Sequence, residues 1–438
     1  MSQLSDNQLQ TLKNRDQAIK YFTSTDEAKY ISYKGSAHKQ LIGSTTYERE
    51  TPETYNFTPG EIVRFFIGRS KGKRLIETFS LQTTMNPGTR AGGDGVLKYI
   101  NGAAIAMIDK IVINQEGKDK LKIYQKQIYN LLKTCNNRDA WDVIKFQTKI
   151  DDLIVGNIEN NTNGVNAKVE QVFVLELNRF IQLLGMQSFP VFALNNSELE
   201  IEIHLVSDFS LLTDVAGDTN PSIKEMIMIN EYIDPGKLVI NDILNLDDKG
   251  FQNTKPKAIN LYNLETLPRK HALPVNQTEY SIKVPELYNK NVVFIEIYVM
   301  EDSNNGTGRL PFKYEKINSF SLKSGDNELH NSKFDITDTF YRNVQISDYN
   351  PPNPKEHLKS NTYIISYTSN LKDEVEHKSR VVNTFLFSNH GSRFFSESDC
   401  VLDFKIATSA NPRTLYIDLY MFEPMKIFNK SLLKSGLF

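Results

Sequence analysis

The chain carries seven histidines: His38, His204, His271, His330, His357, His377 and His390. None stands in the HExxH spacing that turns two imidazoles toward zinc, and none pairs with a cysteine at ligand spacing. The two cysteines, Cys135 and Cys400, lie far apart and make no zinc site. Two cysteines so placed point to folding in a reducing compartment. No GxSxG turn is present to raise a serine nucleophile. Residues 88–95 (GTRAGGDG) lack the closing Gly-Lys-Ser/Thr of a nucleotide loop and the GxGxxG of a dinucleotide loop, so they read as a turn. The basic run 68–74 (GRSKGKR) has no interleaved aromatic residue and reads as a solvated hairpin loop rather than a nucleic-acid contact. The charged run 372–378 reads as a solvated face. The acidic pairs Asp151-Asp152 and Asp247-Asp248 sit in loop-like sequence, while paired carboxylates drawn from distant strands leave no mark in local spacing. The expectation is no catalytic, cofactor-binding or metal residue, and no enzymatic activity.

Composition agrees with that emptiness. Lys and Arg total 51 against 53 Asp and Glu, so no general attraction draws the chain to phosphate, and no specific nucleic-acid partner is expected. Phe (25) and Tyr (20) are abundant, and aromatic residues favour strands. No apolar run reaches the length of a membrane span. The polar start, MSQLSDNQLQ, is not a signal peptide. A length of 438 residues predicts two to three domains.

The elements begin with a basic amphipathic helix over residues 1–35. Leu9, Leu12, Ala18, Ile19 and Phe22 form its stripe, with Lys13, Arg15, Lys20 and Lys29 around it. It either docks on the body or lies on a lipid or partner surface. Residues 36–60 read as an extended arm, and 61–68 and 75–84 as strands. A strand is expected over 104–114, with a helical alternative open, and a helix over 118–140 from Leu121, Tyr124, Ile128, Leu131 and Leu132. Residues 169–177 (VEQVFVLEL) are a strand.

Residues 189–206 (FPVFALNNSELEIEIHLV) organise the rest. The first six are an extended lead-in, and Asn195-Asn196-Ser197 a turn. From Leu199 the alternation is strict: Leu199, Ile201, Ile203 and Leu205 on one face, Glu198, Glu200, Glu202 and His204 on the other. Residues 224–233 (KEMIMINEYI) follow as a strand closed by Asp234-Pro235-Gly236. Pro256, Pro268 and Pro274 make 235–280 read as linker and arm. Strands are expected at 280–284, 292–300, 314–322 and 362–367. Residues 400–406 and 414–422 then repeat the pair at 198–206 and 225–233, with Leu415, Ile417, Leu419 and Met421 on one face. Two similar all-β domains follow from that repeat. Residues 425–438 read as a short amphipathic tail.

The segment 189–206, a small apolar residue and proline leading through apolars and Ala-Leu to a polar turn and an alternating strand, resembles the double jelly-roll major capsid proteins of tailless icosahedral viruses, the PRD1 and adenovirus lineage. Asn230, Tyr232 and Asp234 loosely match the strand that closes the family's first jelly roll. The resemblance spans about residues 45–425. It implies an all-β fold of two tandem eight-stranded jelly rolls with an N-terminal helix and a helical loop insertion. The units would be 1–45 (helix and arm), 46–235 (first jelly roll), 236–279 (linker), 280–425 (second jelly roll) and 426–438 (tail). It also implies homotrimers forming pseudo-hexagonal capsomers, with penton and minor capsid proteins as partners. Residues 1–35 would contact an internal membrane. Localisation would be the virion, with the host cytoplasm before assembly. The competing class is a virion spike or a carbohydrate- or receptor-binding β-sandwich.

Overall fold

A computed structural model describes residues 42–67, 75–88, 97–133, 148–149, 165–177, 191–194, 198–213, 221–235, 259–261, 264–304, 311–325, 327–331, 361–366, 393–396, 399–422, 425–428 and 431–434. The first unit has eight strands: β1 (Ile42–Glu50), β2 (Ile62–Ile67), β3 (Leu75–Met85), β4 (Ile108–Gln115), β5 (Lys118–Tyr124), β6 (Gln171–Glu176), β7 (Leu199–Leu205) and β8 (Ile223–Pro235). They form two antiparallel sheets, in the orders β1-β8-β3-β6 and β2-β7-β4-β5. After β9 (Ile259–Leu261) the second unit follows. Its strands are β10 (Leu264–Leu273), β11 (Glu279–Lys283), β12 (Asn291–Glu301), β13 (Ile317–Ser324), β14 (Asn327–Asn331), β15 (Tyr363–Ser366), β16 (Arg393–Phe394), β17 (Cys400–Ile406) and β18 (Arg413–Phe422). These make sheets in the orders β10-β18-β12-β15, with β16 also on β12, and β11-β17-β13-β14.

The two orders are the same order. Replacing β1 by β10, β2 by β11 and so on, with β7 and β8 becoming β17 and β18, converts one unit into the other. The repeat seen in the sequence is therefore real: Leu199 to Cys400 and Ile223 to Arg413 are offsets of 201 and 190 residues. Each unit is a jelly-roll sandwich of eight equivalent strands, to which the second adds the two-residue β16, and the chain is almost all-β.

Strand alternation builds both cores. Leu199, Ile201, Ile203 and Leu205 all face the first core and are 0–3% exposed. Leu415, Ile417, Leu419 and Met421 face the second core together with Cys400, Leu402, Phe404 and Ile406.

Several local expectations need correction. Residues 118–124, expected as helix, are strand β5. Glu116 and Gly117 both take positive φ (57° and 67°), the requirement of a two-residue hairpin turn, and return the chain onto β4 with Gln115 opposite Lys118. Among the described residues of 118–140, helix is found in α2 (Gln125–Lys133), and a short α1 (Ala103–Ala106) stands where the expected strand was to begin. The arm 36–60 supplies edge strand β1. The stretch 235–280, expected as linker, contains β9 and the whole of β10. Pro268 is tolerated because β10 is an edge strand and bonds only to β18 within its sheet. The 425–438 tail forms a hairpin, β19 (Met425–Phe428) with β20 (Ser431–Lys434), and β19 also pairs with β9. In the lead-in, residues 191–193 form a 3-10 turn. The expected helix at 1–35 and the turn at 195–197 lie outside the described residues.

Candidate functional site

The outer face of the β10-β18-β12 sheet is buried, and it is where the two sandwiches meet. On β18, odd-numbered residues enter the second core, while Tyr416, Asp418 and Tyr420 point outward. On β12, the outward residues are Phe294, Glu296 and Tyr298. Register places Phe294 opposite Tyr420, Glu296 opposite Asp418, and Tyr298 beside Tyr416. The outer pairs are stacked aromatics with centroids 4.0 and 5.0 Å apart. Between them two carboxyl groups stand directly opposed, an arrangement that is unfavourable when both are charged. Each accepts a hydrogen bond from a tyrosine on the other strand. Tyr420 Oη donates to Glu296 Oε2 at 2.9 Å, and Tyr298 Oη donates to Asp418 Oδ2 at 2.9 Å.

The first sandwich covers this ladder with α2, in the connection from β5 to β6. Asn130 Nδ2 donates to Glu296 Oε2 (3.3 Å), and Tyr314 Oη donates to Asn130 Oδ1 (3.2 Å). Tyr129 stacks on Phe312 at 4.3 Å. Thr266 Oγ1 on β10 bonds the Lys122 carbonyl (2.8 Å) and Gln127 Oε1 (3.1 Å), joining the edges of β5 and β10. The half-buried Lys126 places its ammonium 5.4 Å from the Tyr416 ring centroid, and Lys270 approaches the same ring at 5.6 Å.

Burial sets the electrostatics. It pushes Asp418 up to about 6, against the opposing pull of Tyr298, Gln127, Lys126 and Lys270. It brings the Lys126 ammonium down to about 8, aided by Lys270. The hydroxyls of Tyr298 and Tyr420 are driven far up by the same desolvation and by the carboxyl groups they touch. Glu296 is 0% exposed and Asp418 1% exposed, so no substrate can reach them. What the arrangement does is mechanical. Directional bonds among buried polar groups fix the angle and register of one sandwich on the other.

The residues weighed for chemistry are scattered elsewhere. His204 lies on the outer face of β7, with Nε2 3.0 Å from Glu202 Oε2. Glu202 and Glu200 share Arg64 at 3.1 and 3.0 Å. His271 is on β10 and His330 on β14. Cys400 is buried in the second core. Gly88 lies three residues beyond the end of β3, its N–H bonded to the Ala167 carbonyl, and an added Cβ would sit 3.0 Å from Leu97 Cδ2. His38, His357, His377, His390, Cys135, both acidic pairs and the runs 68–74, 89–96 and 372–378 lie outside the described residues. Among the described residues no cluster of His, Cys, Asp or Glu could hold a metal. The ladder itself had a sequence signal: Phe294-x-Glu296-x-Tyr298 and Tyr416-x-Asp418-x-Tyr420 each place one acid between aromatics in an otherwise apolar strand.

No family model matches the sequence, and no curated protein does. Solved structures do match. A chain of the PBCV-1 virus capsid aligns with TM-score 0.60 at 12% identity, covering 90% of this chain and 96% of that one. The Faustovirus major capsid protein gives 0.52 at 8%, covering 99% and 100%. The mavirus major capsid protein gives 0.50 at 10%, covering 92% and 94%. With two sandwiches of one strand order joined at a buried seam, the chain has the double jelly-roll fold of the major capsid proteins of tailless icosahedral viruses.

Proposed function

We propose that this chain is a major capsid protein whose trimers form pseudo-hexagonal capsomers that tile an icosahedral shell. One observation carries the reading: two sandwiches of identical strand order are held at a fixed angle by the Glu296–Asp418 seam. A rigid pair of equivalent bodies turns threefold symmetry into near-sixfold shape, and a closed ring of this kind is stable without a catalytic centre. The bodies are proposed to be residues 46–235 and 280–425, with β10 pairing to β18 alongside the second. Neighbouring capsomers, penton and minor capsid proteins are the proposed partners. The virion is the proposed site of action, after a cytoplasmic stage.

Residues 1–35 are proposed to face an internal bilayer. Lys13, Arg15, Lys20 and Lys29 each contribute roughly 1 kcal/mol near an anionic surface, offset in part by Asp6, Asp16, Asp26 and Glu27. Many copies bind collectively where one binds weakly. Mass measurement in solution tests the central reading: trimers are expected down to low concentration, and a stable monodisperse monomer overturns it in favour of a spike or carbohydrate-binding sandwich.

A further inference from the structure

Edge strand β1 turns two carboxyl groups inward, at the rim of a core that is otherwise apolar. Tyr47 and Arg49 are exposed, while Thr46, Glu48 and Glu50 are half-buried. Register sets Thr46 opposite Tyr232, Glu48 opposite Asn230 and Glu50 opposite Met228 on β8, and cross-strand partners share a face. Met228, Asn230 and Tyr232 are all 0% exposed, so that face is the core face. On its other side Asn230 stands opposite Phe79 of β3. Hydrogen bonds satisfy part of this polar group. Tyr232 Oη donates to Glu50 Oε1 at 2.8 Å, and Asn230 Nδ2 donates to Tyr232 Oη at 3.5 Å. Burial drives the Tyr232 hydroxyl far up, helped by the charge of Glu50 and, more weakly, that of Glu48. One atom is left over. Asn230 Oδ1 is buried and accepts no hydrogen bond among the described residues. Reversing the amide would not help, because the single Tyr232 proton is already given to Glu50. A buried amide oxygen beside two acids needs a partner that carries positive charge.

We propose that Glu48, Glu50 and Asn230 Oδ1 hold a calcium ion beneath β1, with water completing its shell. Two carboxylates and an amide oxygen make an all-oxygen ligand set, the chemistry of a hard cation. Transition-metal sites draw on more imidazole, thiolate or carboxylate groups, and among the described residues no three His, Cys, Asp or Glu side chains gather round a metal position. Ligands placed by sheet register form an irregular shell, which calcium accepts and magnesium does not. With two charged ligands the expected dissociation constant is on the order of 0.1–1 mM. Tyr232 is a positioning residue, since its hydroxyl fixes both Glu50 and the orientation of the Asn230 amide. The ion ties the edge strand to β8 through side chains and neutralises the charge that β1 carries inward. The inference does not depend on the trimer reading.

The test uses the full chain, stripped with a chelator and titrated with calcium chloride in a calorimeter. Thermal unfolding is then followed with calcium or magnesium at about 10 mM, above the expected constant. Wild type should take up one calcium per chain and melt several degrees higher with calcium, and less so with magnesium. Glu48→Gln and Glu50→Gln should each weaken binding at least about tenfold and remove the stabilisation. Glu170→Gln, which removes an exposed partner of Lys224, should leave both unchanged. Asn230→Asp puts a third carboxylate in the site. It should be unstable without calcium and rescued by it, with affinity raised about tenfold. A purely structural role for Asn230 predicts a loss of stability that calcium does not relieve. If Asn230→Asp fails to fold in either buffer, the two glutamine variants decide. A wild type with no stoichiometric uptake overturns the site. So does uptake that both glutamine variants retain, which would mark an adventitious ion only. Neither result touches the trimer reading.

Discussion

At the residue scale, Asp418 turns burial into a pH dependence. Its carboxyl group titrates near 6 when folded, against an ordinary value of 3.8. The folded state therefore holds a proton that the unfolded state releases as pH rises through that interval. Stability falls across the window and is level above it, by about 3 kcal/mol in total at 1.36 kcal/mol per unit. Asp418→Asn keeps an oxygen for the Tyr298 hydroxyl and removes the titration. Its advantage over wild type should grow from pH 4 to pH 6 in denaturant melts, and parallel profiles would refute the assignment. Lys126 acts in the opposite sense, since its lowered value makes stability rise as pH passes from about 8 toward 10.5. The core residues give a simpler expectation. Ile203 is 0% exposed and Ile417 2% exposed. Ile203→Asp or Ile417→Asp strands a carboxyl group between sheets at several kcal/mol and should abolish soluble expression. Glu202→Gln, on the outer face beside Arg64, should shift stability by less than about 1 kcal/mol. Normal thermal stability in both aspartate variants would show that the core has been misassigned.

At the element scale, α2 is a buried bracket between the sandwiches. Ile128 and Tyr129 are 0% exposed, and Tyr129 reaches Phe312 on the connection between β12 and β13. Tyr129→Ala leaves a cavity at the seam and should cost about 3–5 kcal/mol. Because the damage lies between two bodies with separate cores, calorimetry should show the single transition broaden or split. A small, uniform shift in one sharp transition would mean that α2 does not couple the sandwiches. β10 makes the complementary point. Its proline is accommodated because the neighbouring chain segment, β5, meets it through the Thr266 side chain rather than through a backbone ladder.

At the scale of the whole molecule, duplication explains why one chain needs two cores. Each sandwich fills its own interior, yet Phe294, Tyr298, Tyr416 and Tyr420 belong to the apolar cluster of the first sandwich. The second sheet is thus buried on both faces, and its strands read as nearly continuous apolar runs. The membrane expectation belongs at this scale as well. A particle map with its bilayer resolved should place residues 1–35 beneath the shell. Finding them on the outer surface would refute the lipid contact without touching the fold.

Much of this was written in local pattern. Period-two patterning located β7 and β18, apolar runs located β12 and β17, and the repeat of turn, strand, loop and closing strand announced two alike domains. Other features depend on neighbours distant in sequence. Helix and strand compete over 118–124, and the hairpin turn at Glu116-Gly117 decides for strand only because β4 lies ready to pair. Pro268 looks like a breaker until β10 is placed at an edge. Glu296 and Asp418 look like interruptions in apolar strands, and nothing local says that they stand opposite one another. Register across a sequence separation of 122 brings them together. Alternation fixes which residues point inward, but the tertiary structure alone decides what the outward face meets, because that choice is made by surfaces and not by neighbours along the chain.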